Sequence, residues 1–266
     1  MTQAVRVVGH FGEYLQGRLG PDGPVVLVTL PCPLTGVIGT HHPARHGLKL
    51  AGAGLSVPQV QRFIASLRGR LTGHVRLRAR MAAGLGTGVS TARLVALARL
   101  SGWDGPPEVL ARACIAVEGA SDPLMFAGPE RLLWASRQGR ALRHMPALPR
   151  HEVIGGHWGA PQRTDARDDA FPDISDLVAD WAHADSLASF AALGRESARR
   201  CIRLRGPSGD PTEVLAQDLG ALGWVMAHTG AMRGLIFAPG QVPAQARATL
   251  RAAGLRGIVQ FKGGTE

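Results

Sequence analysis

The sequence predicts a mixed α/β fold, and three observations carry that expectation. An alternating strand pattern, a glycine-rich turn and an amphipathic helix follow one another directly between residues 74 and 102. The 266 residues include 35 glycines and 18 prolines, more turn-forming residues than a helical bundle needs. Apolar residues make up 45% and charged residues 19%, enough for one large globular unit or two moderate domains, each with its own core.

Taken in order, AVRVVGHFGEYLQGRLG (residues 4–20) begins as a short β run and breaks at its glycines. GPVVLVTLPCPLTGVIGT (23–40) is rich in Val, Leu, Ile and Thr and predicts one or two strands. Pro31 and Pro33 either end a strand there or place it at an edge. Residues 57–71 carry apolar side chains at helical spacing up to Gly73, and HVRLRARM alternates apolar residues with arginine, as a strand with one wet face does. After AAGLGTGVST comes ARLVALARLSG, expected as an amphipathic helix stopped by Gly102. PPEVLARACIAVEGA opens with proline in its first turn, a helix start.

RLLWASRQGRALRHM predicts a hairpin turning at Gln138-Gly139, and HEVIGGHWGAP a strand after the proline-rich MPALPR. A soft domain boundary is expected there, dividing residues 1–148 from 149–266. Residues 173–200 are expected to be largely helical, and PTEVLAQDLGALG to be a helix capped by Gly223. The tail predicts a strand-like 224–239, the helix VPAQARATLRAAG and the strand GIVQFK, with no internal repeat.

The formal charge is +10, which suits anionic ligands. Yet the cations are scattered arginines, broken only by Lys49 and Lys262, and no aromatics interleave with them for base stacking. Nucleic acid is therefore not the expected partner. Cys32, Cys114 and Cys201 are far apart and form no CxxC pair, which argues against a structural zinc site or a disulfide framework. The opening MTQAVRVVGHFGE lacks the apolar core of a signal peptide, and no apolar run approaches the ~18 residues that span a bilayer. The expected setting is reduced and cytoplasmic, without a membrane partner.

The chemistry concentrates at residues 84–91: Gly84, Leu85, Gly86, Thr87, Gly88, Val89, Ser90 and Thr91. Alternating glycines before a helix let the backbone approach a bulky anion at positive φ. The unpaired first amides and the helix dipole favour a phosphate there, and Ser90 or Thr91 could cap the helix or offer a hydroxyl to a metal. A plain strand-to-helix turn with a Ser/Thr cap would show the same residues. The loop is not a Walker A motif, because no Gly-Lys-Ser/Thr follows. Val89 stands where a Rossmann GxGxxG needs glycine.

This loop resembles the second motif of the GHMP kinases (galactokinase, homoserine kinase, mevalonate kinase, phosphomevalonate kinase), whose pattern is roughly Pro-x-Gly-x-Gly-Leu-Gly-Ser-Ser-Ala. Anchored on Ser90-Thr91-Ala92, Gly84, Gly86 and Gly88 fall on its three glycines. Ala82, Thr87 and Val89 depart from the proline, the leucine and the first serine. Within that superfamily, GHFGEYLQG (9–17), LVTLPC (27–32), EGASDPLMF (118–126) and AHTGAMRGLIF (227–237) are similar, in order, to segments of the L-threonine kinases that serve cobalamin synthesis.

The resemblance implies an α/β (α+β), two-domain GHMP-kinase-like fold, with an N-terminal phosphate-loop domain and a ferredoxin-like C-terminal domain. It implies ATP and Mg²⁺, and transfer of phosphate to the hydroxyl of L-threonine. Asp122 is the candidate catalytic base, and Ser90 and Glu118 the candidate metal ligands. Glu118 would share a helix face with Asp122 if the helix reaches that far. Glu13, Gln16 and Gly17 in the opening motif, and His228, Thr229 and Gly230 near the end, are candidates for substrate binding. Structural roles are open for each of them. His10 is read as structural or peripheral, Arg233 as a possible anion contact, and Asp168-Asp169 as solvated. A kinase of homoserine or of an isoprenoid-precursor alcohol, a nucleotide-binding regulator without catalysis, and a basic nucleic-acid-binding protein are the alternatives.

Overall fold

The computed structural model describes residues 2–162 and 164–265. Its elements run β1 (Gln3–Arg18), β2 (Val25–His42), β3 (Leu48–Ala51), α1 (Val57–Ser66), β4 (Gly73–Ala79), α2 (Val89–Leu100) and α3 (Pro107–Glu118). There follow β5 (Leu132–Ala135), β6 (Arg140–His144), β7 (His151–His157), α4 (Ser175–Trp181), α5 (Leu187–Arg205) and α6 (Thr212–Asp218). The chain finishes with β8 (Gly223–Met226), β9 (Met232–Phe237), α7 (Ala246–Ala252) and β10 (Arg256–Gly263).

Among the described residues the strands form one sheet in the order β10-β7-β9-β8-β1-β2-β4-β3, with β5 on β2 and β6 on β5. The expected boundary near residue 148 falls in the link between β6 and β7. The sheet is continuous across it, because β8 joins β1 where Glu13 pairs with Met226.

Two early segments are longer than the sequence pattern predicts. β1 runs straight through its glycines. Register slips between Val7 and Gly9, His10 and Glu13, and Glu13 and Leu15 absorb the irregularity, with Gly12 at φ +86°. A Cβ at residue 12 would meet the Met226 carbonyl oxygen at 2.6 Å, so glycine is what lets β8 come this close.

Pro31 and Pro33 do not end β2. They lie between the stretch that pairs with β5 (Val26, Leu27) and the stretch that pairs with β4 (37–42). On that side the middle of β2 is locally an edge, where a missing N–H breaks no ladder.

Helix α2 departs from the amphipathic expectation. Val89, Thr91, Ala92, Leu94, Val95, Ala96, Leu97, Ala98 and Leu100 are all buried, because it lies against β1 and β2 on one side and α1 and α3 on the other. Helix α1 stops at Ser66, where Arg68 turns to φ +58°, although Leu67 and Leu71 stay buried. Helix α6 ends at Asp218 and the chain turns at Gly220 (φ +69°), short of Gly223, which opens β8. The 224–239 segment is a hairpin of β8 and β9, and the short parallel strand β3 had no sequence signal.

Three apolar cores hold this frame. One packs α1, α2 and α3 on β2 and β4. A second draws on both halves of the chain through Phe11, Tyr14, Val153, Trp181 and Val225. A third packs α5, α6 and α7 around Trp224, Leu235 and Phe237. Cys32, Cys114 and Cys201 are free and buried. Among the described residues no helix is long and apolar enough to cross a membrane.

Candidate active site

A cleft of about 360 Å³ opens where β1, the 84–91 loop, the end of α3, the β5–β6 turn and the β8–β9 turn converge. Its residues come from both ends of the chain.

Gly84, Gly86 and Gly88 sit at φ +85°, +80° and +67°. Each therefore occupies the left-handed region that a side chain disfavours. Two of them are also squeezed. A Cβ on Gly86 would meet the Thr229 carbonyl oxygen at 2.6 Å, and one on Gly88 would meet the His10 ring at the same distance. Gly88 is the residue before α2 and no side chain caps the helix, so its first amides face the cleft uncapped. Neither Ser90 nor Thr91 takes the cap position. Both turn instead to Glu118: Ser90 Oγ donates to Oε1, and Thr91 Oγ1 donates to Oε2 at 3.2 Å. Val89 is 4% exposed and packs into the first core, so the loop offers backbone rather than a hydroxyl at that position. Leu85 is likewise buried, and its carbonyl accepts from Ala231 and Met232.

Glu118 is the last residue of α3, and Gly119 at φ +73° turns the chain away. Glu118 and Asp122 thus do not share a helix face as the spacing suggested. Asp122 stands on the following loop, fixed at several points. Its amide donates to Thr91 Oγ1 at 3.3 Å, the Ser121 amide donates to the Ser136 carbonyl at 3.0 Å, and Trp134 Nε1 donates to the Ser121 carbonyl at 2.6 Å. Burial pushes the Glu118 carboxyl up to about 7, with Ser90 and Thr91 pulling the other way and Asp122 adding to the rise.

His10 is the residue the sequence undervalued. Its ring lies between two carboxyls, Nδ1 at 3.3 Å from Glu13 Oε1 and Nε2 at 3.4 Å from Asp122 Oδ2, and it is 3% exposed. Burial works against its charge, yet the two carboxyls outweigh it and raise His10 to about 9. Burial also pushes Glu13 up to about 8, only partly offset by His10. For Asp122 burial again pushes upward, but the His10 cation wins and holds it below the usual range. The three groups share their protons as one unit: the positive charge on His10 faces the negative charge on Asp122 across the floor of the cleft.

The far wall is the β8–β9 turn. The His228 ring stacks on Phe171 at 4.1 Å between centroids, and the Arg205 guanidinium lies over Phe171 at 4.1 Å. Burial, then the charges of Arg137 and Arg205, lower His228 to about 3, so its ring is neutral. Thr229 Oγ1 pairs with Thr164 Oγ1 at 2.6 Å, and the Gln162 amide donates to the Gly84 carbonyl at 2.8 Å, which ties Thr164 to the β8–β9 turn and Gln162 to the glycine loop. Gly230, at φ +120°, packs on Leu85 and Gly86 without itself lining the cleft.

Gln16 and Gly17 are not brought to the cleft. The Gln16 amide donates to Ser197 Oγ at 2.9 Å, its side chain donates to the Met226 carbonyl at 3.0 Å, and Gly17 packs on Pro172 and Ile174. These residues fasten β1 to its neighbours. Arg233 meets no cleft anion either: it is buried against Asp210, Nε to Oδ2 at 2.7 Å. Asp168 is not simply solvated, since it pairs with Arg205. Arg93 and Arg137 line the cleft and were passed over, each being one arginine among many with no local signal.

The cleft thus sets the uncapped start of α2 and its glycine loop on one side and an aspartate held by a histidine cation on the other. Comparisons with known proteins bear on the architecture. No protein-family model and no curated protein sequence matches the chain. Solved structures do match. The mevalonate kinase of Methanococcus jannaschii is similar at TM-score 0.65 and 9% identity, covering 100% of this chain and 99% of that one. The phosphomevalonate kinase of Streptococcus pneumoniae is similar at TM-score 0.61 and 14% identity, covering 100% of both chains. The homoserine kinase of Cytophaga hutchinsonii is similar at TM-score 0.59 and 17% identity, covering 99% of this chain and 94% of that one. The fold expected from the sequence motifs, that of the GHMP kinases, is the fold this chain has.

Proposed function

We propose that the chain is an ATP-dependent kinase that phosphorylates the hydroxyl of a small metabolite, with L-threonine as the acceptor and O-phospho-L-threonine as the product, serving cobalamin synthesis in the cytoplasm. The observation that carries this reading is Asp122, held ionised by His10 in the same cleft as the uncapped start of α2 and its three positive-φ glycines. The division into a nucleotide-binding part, 1–148, and a second part, 149–266, belongs to the same proposal, because the cleft draws on both.

In this reaction the acceptor oxygen attacks the γ-phosphorus of ATP, and the bond from that phosphorus to the β–γ bridging oxygen breaks. ADP leaves, and the hydroxyl proton passes to Asp122. Most of the rate would come from position and charge: amides of 84–91 cradle phosphate oxygens, and Asp122 aims the hydroxyl. The oxygens of Ser90, Thr91 and Glu118 form a hard donor set that fits Mg²⁺. Bound there, Mg²⁺ would neutralise charge on the β- and γ-phosphates. Glu13 and the His228–Thr229 turn are assigned to the acceptor.

A turnover screen with ATP and L-threonine, L-homoserine or mevalonate tests the acceptor. Absence of turnover with threonine overturns that choice and leaves the other kinases. Asp122→Asn tests the chemistry: a kinase loses turnover and keeps ATP binding, whereas a nucleotide-binding regulator shows binding without turnover in both forms.

A further inference from the structure

Among the described residues, five buried nitrogens of cleft-lining side chains have no hydrogen-bond partner: Nε of Arg137, both ring nitrogens of His228, Nε of Arg93, and Nδ1 of His10, which faces Glu13. Arg137 follows β5 and is tied next to Asp122 by the bond from the Ser121 amide to the Ser136 carbonyl. Its guanidinium is held from behind. Nη1 donates to Ser136 Oγ at 3.2 Å, and Nη2 donates to the carbonyls of Asp168 at 3.3 Å and Asp165 at 3.5 Å. Those contacts fix its direction without neutralising its charge. Among the described residues no carboxylate lies within ion-pair distance of Arg137, whereas Arg205 beside it is paired with Asp168.

A positioned, unpaired guanidinium in a cleft wall matches a carboxylate, which it can grip with two parallel N–H bonds.

Resting on the kinase reading, we propose that Arg137 recognises a carboxylate on the acceptor alcohol, with the His228 ring taking a neighbouring polar group of the same molecule. The acceptor class is then a hydroxy acid or hydroxy amino acid, and Arg137 is the residue that sets it apart from a neutral alcohol. Because His228 is neutral, one nitrogen can accept a hydrogen bond from an ammonium group.

The test compares L-threonine with L-threoninol, which keeps the hydroxyl and the amine but lacks the carboxylate, on the purified full chain and on Arg137→Gln and Arg137→Lys. Wild type is expected to favour threonine on the order of 100-fold in kcat/KM, the scale of one buried charge-assisted pair. Arg137→Gln is expected to erase that preference through the KM for threonine, lowering kcat/KM for threonine far more than for threoninol and leaving the KM for ATP in place. Arg137→Lys should recover part of the preference. A loss of kcat on both acceptors at unchanged acceptor KM overturns the proposal and places Arg137 on the phosphoryl group.

Calorimetric titration of both acceptors in the presence of ADP, with thermal unfolding to confirm that each variant folds, separates the two readings. Absent turnover of both acceptors by wild type overturns threonine as the substrate and leaves the wider kinase reading to the homoserine and mevalonate arms of the turnover screen. Wild type that binds threonine no better than threoninol, or threonine binding that survives Arg137→Gln, refutes the role of Arg137 whatever the turnover shows.

Discussion

Replacing His10 with glutamine removes the positive charge between Glu13 and Asp122 while keeping an N–H donor of similar reach. The site is nearly sealed, with His10 at 3% exposure and carboxyl oxygens at 3.3 and 3.4 Å from its two nitrogens. The rise of His10 from 6.5 to about 9 corresponds to about 3 kcal/mol in favour of the charged ring. That agrees in size with the ~3–5 kcal/mol lost when one partner of a buried pair is removed. Because the folded state raises this group above its unfolded value, the stabilisation is fully present below pH 6.5 and is lost as the pH climbs through about 9. His10→Gln should therefore be less stable than wild type by about 3 kcal/mol near pH 6, with the gap closing toward pH 10. Equilibrium urea unfolding read from the fluorescence of the buried Trp134, Trp181 and Trp224 measures it. A gap that stays constant from about pH 6 to 10 would refute the charge argument and leave His10 a packing residue.

Gly88→Ala puts a side chain at φ +67° with its Cβ 2.6 Å from the His10 ring and 2.9 Å from Leu124. Left-handed strain and overpacking together amount to about 2–5 kcal/mol, so the melting temperature should fall and ATP bind more weakly by titration. Ser90→Ala strips one hydroxyl from Glu118. It should raise the Mg²⁺ needed for half-maximal turnover about 10-fold, and an unchanged requirement counts against the assigned metal ligands. His228 is held to about 3 by burial, so the unfolded chain takes its proton first, and stability should fall as the pH drops from 6.5 toward 3. His228→Phe should flatten that decline in urea unfolding between pH 6.5 and 4, and an unaltered slope would assign the decline to other groups.

The glycine loop was legible because its causes are local. Positive φ at Gly84, Gly86 and Gly88 needs only the absence of a side chain, and the apolar run after them needs only helical spacing. The proline at the start of α3, the glycine at its end and the hairpin of β5 and β6 were readable on the same terms. Strand continuity was not local. β1 passes through its glycines, and β2 through its prolines, because neighbouring strands supply the pairing and the bulges absorb the slips.

The site divides the same way. Sequence offered Asp122 and Glu118 as a pair on one helix, and the turn at Gly119 parted them and gave each a different companion. Gln16 and Gly17 sit in the same short motif as Glu13 but beyond a register slip, and Gln16 was carried off to α5 and β8 while Gly17 packs on Pro172 and Ile174. His10 and Arg137 carry no spacing that marks them. Their charges acquire meaning only where β1 and the β5–β6 turn bring them beside Asp122. The sequence by itself determined the glycine loop and the kind of fold around it, since backbone conformation and helical periodicity are properties of neighbours along the chain. Which ionisable groups face one another across the cleft was decided by the tertiary structure, because burial and distance set a charge's state and neither is written in a residue's immediate surroundings.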